Sequence, residues 1–212
     1  MLHTTILSIP FEFETGEHLF SPSAIDRGTL AMLRNVTLSP DDIVLDLGCG
    51  YGPVGIFAAR LIGAGQVVMS DLSADAVAVS RRNAVRNNVP DIPILQSDGF
   101  DGIPRTDFTL ILSNPPYHTD FSVARRFIEG SWQRLVPGGR LYMVTKRREW
   151  YKNKLISVFG GVTITEDDGY YVFCAIKQLS RPKSRAPRKP EGILSKKLMR
   201  KTARRRNRKA AP

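Results

Sequence analysis

The side chains best suited to chemistry lie in the stretch "NPPY", residues 114–117, which follows the apolar run 108–112. The run is typical of a buried strand, and two prolines cannot continue it, because each has a fixed φ and lacks a backbone N–H. The Asn114 side-chain oxygen and the rigid Pro115 carbonyl would offer two fixed hydrogen-bond acceptors beside the flat ring of Tyr117. Such acceptors could hold the two N–H groups of a planar amine. A turn that only ends the strand is the alternative.

A second stretch, "VLDLGCGYGPVGIFAA" (residues 44–59), has the pattern of a nucleotide site. Its strand leads to Asp46, and three glycines follow at alternate positions, namely Gly48, Gly50 and Gly52. Glycines permit positive φ and let the backbone approach a ligand, and the helix start at Pro53 offers free N–H groups to an anion. The same letters fit the G-x-G-x-x-G pattern of dinucleotide enzymes. Both that class and a tight turn without a ligand remain open at this point.

Two further acids follow later strands. Asp71 comes about 20 residues after the glycines, where a carboxylate can accept hydrogen bonds from a ribose diol. It could instead cap the next helix, although Ser73 could also serve as that cap. Asp98 follows the third strand in "LQSDGF", where an ordinary turn aspartate would also be expected.

The elements that must position these residues alternate along the chain. Apolar runs predict strands at 43–47, 66–70, 92–96, 108–112 and 140–145, and helical patterns lie at 53–62, 74–88, 120–135 and 149–158. Strands that alternate with helices predict an α/β fold with a doubly wound, mostly parallel sheet. The runs 161–166 and 169–177, joined by Asp167-Asp168, predict an antiparallel C-terminal hairpin at one edge. Before the core, residues 5–14 predict a strand or hairpin and residues 23–36 an amphipathic helix.

The positive charge is concentrated at the C-terminus. Residues 177–212 contain 15 of the 31 Lys and Arg residues and one acid, Glu191, so their net charge is +14 and that of the remaining chain is −3. The sequence predicts three regions: an N-terminal strand and helix extension (1–37), a core domain (38–178) and a basic, disordered tail (179–212). A tail of this charge is expected to bind a nucleic acid in a salt-sensitive way, unless it serves only solubility.

Several classes of protein are disfavoured by what the sequence lacks. Cys49 and Cys174 are too few for a disulfide framework, and the three histidines have no metal-ligand spacing. We find no apolar run long enough to span a membrane and no signal-peptide pattern. We therefore expect a cytoplasmic protein with reduced thiols and without a metal.

Together the motifs resemble those of a known family. The order D-x-G-x-G from Asp46 to Gly50 resembles motif I of the class I S-adenosylmethionine-dependent methyltransferases, and "NPPY" resembles motif IV of the amino-methyltransferases. "HLFSPSAIDRGTLAML" (residues 18–33) and "LVPGGRLYMVTKR" (residues 135–147) are similar to elements of the rRNA guanine-N2 methyltransferases and their single-domain relatives. The resemblance covers roughly residues 16–177.

The resemblance implies a Rossmann-like fold, S-adenosylmethionine as cofactor, and roles for particular residues. Phe20 would cover the cofactor or the target base unless it only packs in the core, Thr29 would lie near the methionine end, and Asp98 would contact the adenine amino group. The implied cofactor-binding residues are Phe20, Thr29, Asp46, Gly48, Cys49, Gly50, Gly52, Asp71, Leu72, Asp98, Gly99 and Asn114. The implied catalytic residues are Asn114, Pro115, Pro116 and Tyr117, with the Tyr117 ring stacked on the target base.

The activity implied by the resemblance is methylation of an exocyclic amine on an RNA base, namely guanine N2 of rRNA, with rRNA or a ribosomal subunit as partner through the tail. Adenine N6 and a protein glutamine are alternative targets, because Tyr117 replaces the Phe that is usual in the guanine-N2 enzymes. A non-enzymatic ribosome- or RNA-binding protein is an alternative of another class. An NAD-linked oxidoreductase is the weakest, because no residue resembles a hydride-transfer base.

Overall fold

The computed structural model describes residues 1–16, 23–116 and 121–179, all of which belong to one unit, Met1–Pro182. The predictions for Phe20, Tyr117 and the basic tail therefore lie outside the described residues.

Within these residues, the elements follow the predicted order. The strands are β1 (Leu2–Ile6), β2 (Ile9–Phe13), β3 (Val44–Leu47), β4 (Val67–Asp71), β5 (Ile94–Gln96), β6 (Phe108–Ser113), β7 (Leu135–Thr145), β8 (Thr163–Asp167) and β9 (Tyr170–Ile176). The helices are α1 (Arg27–Asn35), α2 (Pro53–Ile62), α3 (Ala74–Arg86), α4 (Ser122–Arg134) and α5 (Arg148–Phe159), with a short 3₁₀ helix before β4.

Seven strands form the main sheet in the order β5-β4-β3-β6-β7-β9-β8. The pairs from β5 to β7 are parallel, and β9 runs antiparallel to both β7 and β8. The predicted doubly wound sheet with an antiparallel C-terminal hairpin is confirmed. The chain moves outward in opposite directions from β3 and β6, and the carboxyl ends of two such strands form the crevice where α/β sheets bind ligands.

Both faces of the sheet are covered by buried apolar side chains. Along β3, Val44 joins a cluster that includes the β1–β2 hairpin, α1, α2 and α3, whereas Leu45 and Leu47 join the cluster on α4 and α5. Strands buried on both faces read as continuous apolar runs, which is why the sequence shows them so clearly.

The β1–β2 hairpin is fastened to α3 by two asparagines one helical turn apart. The Asn87 amide accepts from Glu12 N at 3.1 Å and donates to Glu12 O at 2.7 Å. The Asn83 amide does the same with Glu14, at 2.7 and 2.9 Å, and also donates to Tyr51 O at 2.9 Å. These buried amides form hydrogen bonds with backbone N–H and C=O groups at the edge of β2, and through Tyr51 they connect the hairpin to the glycine loop.

Helix α1 begins at a side-chain cap. Asp26 Oδ2 accepts from Thr29 N at 2.9 Å, a typical N-cap hydrogen bond. Arg27 and Arg34 then pair with Asp168 and Asp167 at the turn between β8 and β9. Both ends of α1 are therefore held against the sheet edge by contacts between residues more than 130 positions apart in sequence.

Some predicted element boundaries differ from the structure: α1 begins at Arg27 rather than at 23, β5 begins at Ile94 rather than at 92, and three further differences lie at turns. Strand β7 begins at Leu135 rather than near 140, because Leu135 pairs with Phe108 across an irregular register. The first hairpin turns at Leu7-Ser8, both at positive φ, without the Asn-Gly signal typical of such turns. The last hairpin turns at Asp168-Gly169 rather than at Asp167-Asp168, because Asp167 still pairs with Tyr170.

Candidate active site

A cavity of about 300 Å³ lies at the carboxyl ends of β3, β4 and β6. Its lining includes ten of the predicted cofactor residues, namely Thr29, Asp46, Gly48, Cys49, Gly50, Asp71, Leu72, Asp98, Gly99 and Asn114. Pro116 also lines it, whereas Pro115 is buried and Gly52 is not part of the lining. The lining residues that sequence reasoning missed include Asp26, Tyr51, Ser70, Arg126 and Phe127.

The glycine loop bends where the sequence places its glycines. Gly50 has φ +57°, and a Cβ there would meet nothing within 4 Å, so its backbone faces open space. Gly52 has φ +100° and is the N-cap residue of α2, with Pro53 at the first helical position as predicted. A Cβ at Gly52 would lie 2.9 Å from both Ile56 and Met69. Gly52 thus shapes the loop from behind rather than facing the cavity.

Asp46 is buried at the end of β3, with a relative exposure of 2%. Its Oδ2 accepts from Gly55 N at 2.8 Å, and only a glycine fits there, because a Cβ would lie 2.5 Å from Met69. Burial raises the pKa of Asp46 to about 7; the hydrogen bond from Gly55 opposes this rise, and the charge of Asp71 adds to it. The cavity therefore contains a carboxyl group that a nearby cation could ionise.

Asp71 holds the loop in place through both carboxylate oxygens. Oδ2 accepts from Gly50 N at 2.9 Å, and Oδ1 accepts from Ser73 N at 2.9 Å. The N-cap of α3 is Ser73, whose Oγ accepts from Ala76 N at 3.3 Å. Asp71 is therefore not the helix cap, and each of its oxygens retains a second lone pair for a ligand.

Asp98 is paired across the cavity with Arg126 of α4. Arg126 Nη1 donates to Asp98 Oδ2 at 3.0 Å, and Nη2 donates to Oδ1. The Arg126 hydrogen bond is the largest cause of the lowered pKa of Asp98. A ligand amine could therefore donate to Asp98 only while the Arg126 guanidinium also remains bound to the same carboxylate. No sequence motif marked Arg126, since it is one of several basic residues on an amphipathic helix.

Asn114 lies at the end of β6 and is oriented by two residues at the start of α1. Its Nδ2 donates to Asp26 Oδ2 at 2.8 Å and to Thr29 Oγ1 at 3.0 Å. Because both amide hydrogens are used, the side-chain oxygen is the atom left to accept from a ligand. The preceding Ser113 donates to Leu47 O at 2.8 Å, which joins the ends of β6 and β3. The D-x-G-T pattern could have indicated Asp26 as a helix cap but not as a partner of Asn114.

Two buried hydroxyls in the cavity wall, Tyr51 Oη and Ser70 Oγ, have no hydrogen-bond partner among the described residues. Burial, followed by the charge of Asp26, raises the pKa of Tyr51, so the phenol stays protonated. Unpaired buried hydroxyls and several carboxylates suit a polar ligand that carries positive charge. S-adenosylmethionine fits this set of carboxylates and hydroxyls, because it combines two cationic centres with a ribose diol and an adenine amine.

Neither a membrane-spanning helix nor a metal-binding cluster is present among the described residues. The described part of the chain contains no helix of the length and apolarity that a membrane span requires. No three His, Cys, Asp or Glu residues there are grouped in a way that could hold a metal ion.

Several known proteins are similar to this chain in sequence or in fold. Residues 10–174 match the family model of the methyltransferase small domain. Ribosomal RNA small subunit methyltransferase C of Pseudomonas aeruginosa is 32% identical over 74% of this chain and 48% of its own length. Ribosomal RNA large subunit methyltransferase G of Streptomyces avermitilis is 33% identical over 73% of this chain and 42% of its own length.

A similar solved structure is the T. thermophilus 16S rRNA N2 methyltransferase RsmC, in complex with AdoMet and guanosine. It superimposes with a TM-score of 0.74 at 27% identity, over 84% of this chain and 50% of that one. TrmN from Thermus thermophilus superimposes with a TM-score of 0.61 at 26% identity, over 70% of this chain and 48% of that one. The chain thus spans about half the length of these relatives.

Fold and relatives agree on the class of protein, which is that of the Rossmann-like methyltransferases, as predicted from the sequence. Within that class, the chain belongs to the methyltransferase small domain family.

Proposed function

We propose that this protein transfers a methyl group from S-adenosylmethionine to an exocyclic amine of an RNA base, namely guanine N2 in rRNA. One observation carries the proposal: Asn114 donates both amide hydrogens to Asp26 and Thr29. An amide held in this way presents an oxygen acceptor of fixed orientation beside the cofactor cavity. An amine substrate needs such an acceptor, whereas a protein that only binds RNA does not.

The chain's residues would activate the amine by holding it. The lone pair of an exocyclic base amine is delocalised into the ring, so the amine is a poor nucleophile. Asn114 Oδ1 and the Pro115 carbonyl each accept one N–H, which directs the lone pair towards the cavity and stabilises the positive charge that develops on nitrogen. The fixed φ of the prolines keeps the carbonyl aimed. Asp26 polarises the Asn114 amide from behind and strengthens its oxygen as an acceptor.

S-adenosylmethionine, when bound, would supply a methyl group on a sulfonium centre. The glycine loop from Gly48 to Gly50 would lie against it, Asp71 would accept from the ribose diol, and Asp98 would accept from the adenine amine. Asp46 would face a cationic cofactor with a carboxyl group whose pKa of about 7 lies close to physiological pH. A cation nearby favours the ionised carboxylate and would lower this pKa.

The choice of guanine N2 is supported by the relatives rather than by this cavity. Two of them are named as methyltransferases of small- and large-subunit rRNA, and the solved RsmC structure contains guanosine. The +14 charge of residues 177–212 supports a nucleic acid as the partner, because the rest of the chain has a net charge of −3, and the relatives favour RNA. A cytoplasmic location would follow from that substrate. Adenine N6 and protein glutamine remain alternative targets that use the same acceptors.

The test is a methyl-transfer assay with labelled S-adenosylmethionine offered to rRNA, ribosomal subunits, DNA and protein extract, followed by mass spectrometry of the product. We expect N2-methylguanosine in rRNA from the wild-type chain and none from Asn114→Ala. N6-methyladenine or methylglutamine would keep the reaction class and replace the proposed target. Cofactor binding without transfer to any of the four would overturn the proposal and favour a binding protein.

A further inference from the structure

A second group of side chains lies just beyond the end of β7, at the carboxyl ends of the parallel strands, where the cavity also lies. Lys146, Arg147 and Arg148 follow the last residue of β7, and all three are exposed. Strand β7 runs parallel to β6, with Met143 opposite Ser113, the residue before Asn114. At about 3.3 Å per residue along a strand and about 4.8 Å between strands, the Lys146 backbone lies within roughly 10 Å of Asn114.

Each of the three cations lies over a different aromatic ring. Lys146 Nζ is 4.8 Å from the centroid of Tyr170, Arg147 Cζ is 5.1 Å from that of Phe121, and Arg148 Cζ is 5.9 Å from that of Tyr171. The Phe121 ring is itself stacked on Trp150, with centroids 4.2 Å apart. We call Lys146, Arg147, Arg148 and these four rings the cationic rim. Rings that hold the cations in place reduce the conformational entropy that would be lost when a ligand binds.

The rim is continuous with the residues that orient Asn114. A Cβ at Gly28 would lie 2.8 Å from the Tyr170 ring and 2.9 Å from Asp26 Oδ2. Tyr170 therefore packs directly against the start of α1 at Gly28, which lies between the two residues that hold the Asn114 amide. The ring that carries Lys146 thus forms part of the wall behind the proposed amine acceptor.

The charge of the rim is opposite in sign to that of the surrounding domain. Around the rim, Arg148 pairs with Glu149, the neighbouring Arg27 and Arg34 pair with Asp168 and Asp167, and Asp26 lies beside the Tyr170 ring. These five cations thus lie with four acids, on a chain whose first 176 residues have a net charge of −3. A positive surface confined to the edge of the cavity would attract a polyanion to that edge.

We propose that the cationic rim binds the phosphates of RNA next to the target base and so aligns that base with Asn114 independently of the basic tail. The identity of the polyanion rests on the proposed function, whereas the location of the surface rests on the geometry alone. An amine is methylated only if its base reaches the acceptors, and phosphate contacts fix the register of a nucleic acid without reading its sequence. The rim lies where the flanking phosphates of such a base would pass.

The test compares two triple variants of the full chain. K146Q/R147Q/R148Q removes the charge of the rim. R60Q/R86Q/R105Q is the matched control, because Arg60 also lies over a ring and the other two also pair with acids. Arg60 and Arg86 lie in the last turns of α2 and α3, and Arg105 precedes β6. The control cations therefore lie at the amino ends of the parallel strands, opposite the carboxyl ends where the rim lies. Both variants keep the tail and lose three positive charges.

Binding of a labelled rRNA fragment is measured by fluorescence anisotropy from 50 to 300 mM salt. Each phosphate contact contributes about 0.7 to the slope of log K against log salt for single strands and about 0.9 for duplexes. We expect the rim variant to reduce the slope by about 2 to 3 and to raise the KM for RNA at least about ten-fold, with its affinity for S-adenosylmethionine unchanged. The control should resemble the wild type.

The two proposals fail separately, because RNA binding is measured without methyl transfer. If the wild type methylates no RNA but the rim variant still binds RNA more weakly than the control does, the surface is supported and the proposed activity is not. If the wild type methylates RNA and the two variants have equal slopes and equal KM values, the surface proposal is overturned.

Discussion

The Asn114 amide nitrogen lies 2.8 Å from a carboxylate oxygen of Asp26, a residue 88 positions earlier in the chain. The same oxygen caps helix α1 by accepting from Thr29 N. One carboxylate thus sets both the start of a helix and the orientation of the amide at the end of β6. The geometry of the proposed amine site is therefore linked to the packing of α1 on the sheet.

Asp26→Asn tests this link. Asn is also a good N-cap residue, so α1 should remain folded, but the negative charge behind Asn114 is lost. We expect kcat to fall about ten- to hundred-fold, with KM for S-adenosylmethionine within about two-fold of wild type, in steady-state methyl transfer. Asp75→Asn, which removes an exposed acid from the first turn of α3, is the control. An unchanged kcat would show that Asp26 only caps the helix.

Removal of the amine acceptor should have a larger effect. Asn114→Ala deletes one of two preorganised acceptors, and losses of about a hundred- to a thousand-fold in kcat are typical of such deletions. Binding of S-adenosylmethionine, measured by calorimetry, should persist. Ser113→Ala is the matched control, because it removes the adjacent hydrogen bond to Leu47 O and should cost about 1 kcal/mol of stability. If Asn114→Ala retained wild-type turnover, residues 114–117 would not hold the amine.

The stability of the cofactor-free protein should depend on the protonation of Asp46. Its pKa is about 7 in the folded state against an ordinary 3.8, so the folded state binds the proton more tightly. The contribution of Asp46 to the free energy of unfolding therefore falls as the pH rises from about 4 through about 7, by roughly 4 kcal/mol in total. Asp46→Asn resembles the protonated form and removes this dependence.

Denaturant unfolding at pH 5 and pH 8 measures the effect. The stability of Asp46→Asn relative to wild type should rise by roughly 2 to 3 kcal/mol between these pH values. The exposed Asp41→Asn is the control and should show no comparable change. If the difference in unfolding free energy between Asp46→Asn and the wild type were the same at pH 5 and pH 8, Asp46 would be ionised in the folded protein across this range.

Deletion of residues 178–212 should separate RNA binding from folding. The truncated chain keeps Lys177, whose backbone pairs with Gly138 and Gly139 at 2.8 Å and whose Nζ donates to Leu135 O. We expect a thermal midpoint within about 2 °C of the full chain and a salt dependence of RNA binding reduced by several units of slope. Full methyl transfer by the truncated chain at 0.15 M salt would remove the tail from the proposed function.

Local sequence specifies the conformation of the glycine loop and the start of the helix that follows it. Helix α2 spans the predicted residues 53–62, since Gly52 at φ +100° and Pro53 at the first helical position specify its start through local sterics. Ser73 caps α3 for the same kind of reason. The turn at Leu7-Ser8 was not visible in the sequence, because neither residue favours positive φ and the β1–β2 pairing imposes it.

The local conformations therefore follow from the amino-acid sequence, and the alternation of apolar runs and helices also specifies the class of fold. Which side chains contact one another depends on tertiary packing. The pairing of Arg126 with Asp98, the raised pKa of Asp46 and the contact between Asp26 and Asn114 each depend on burial or on packing between elements far apart in the chain. Such contacts leave no local signal, because hydrogen-bond partners and desolvation are set only when the sheet and its helices come together.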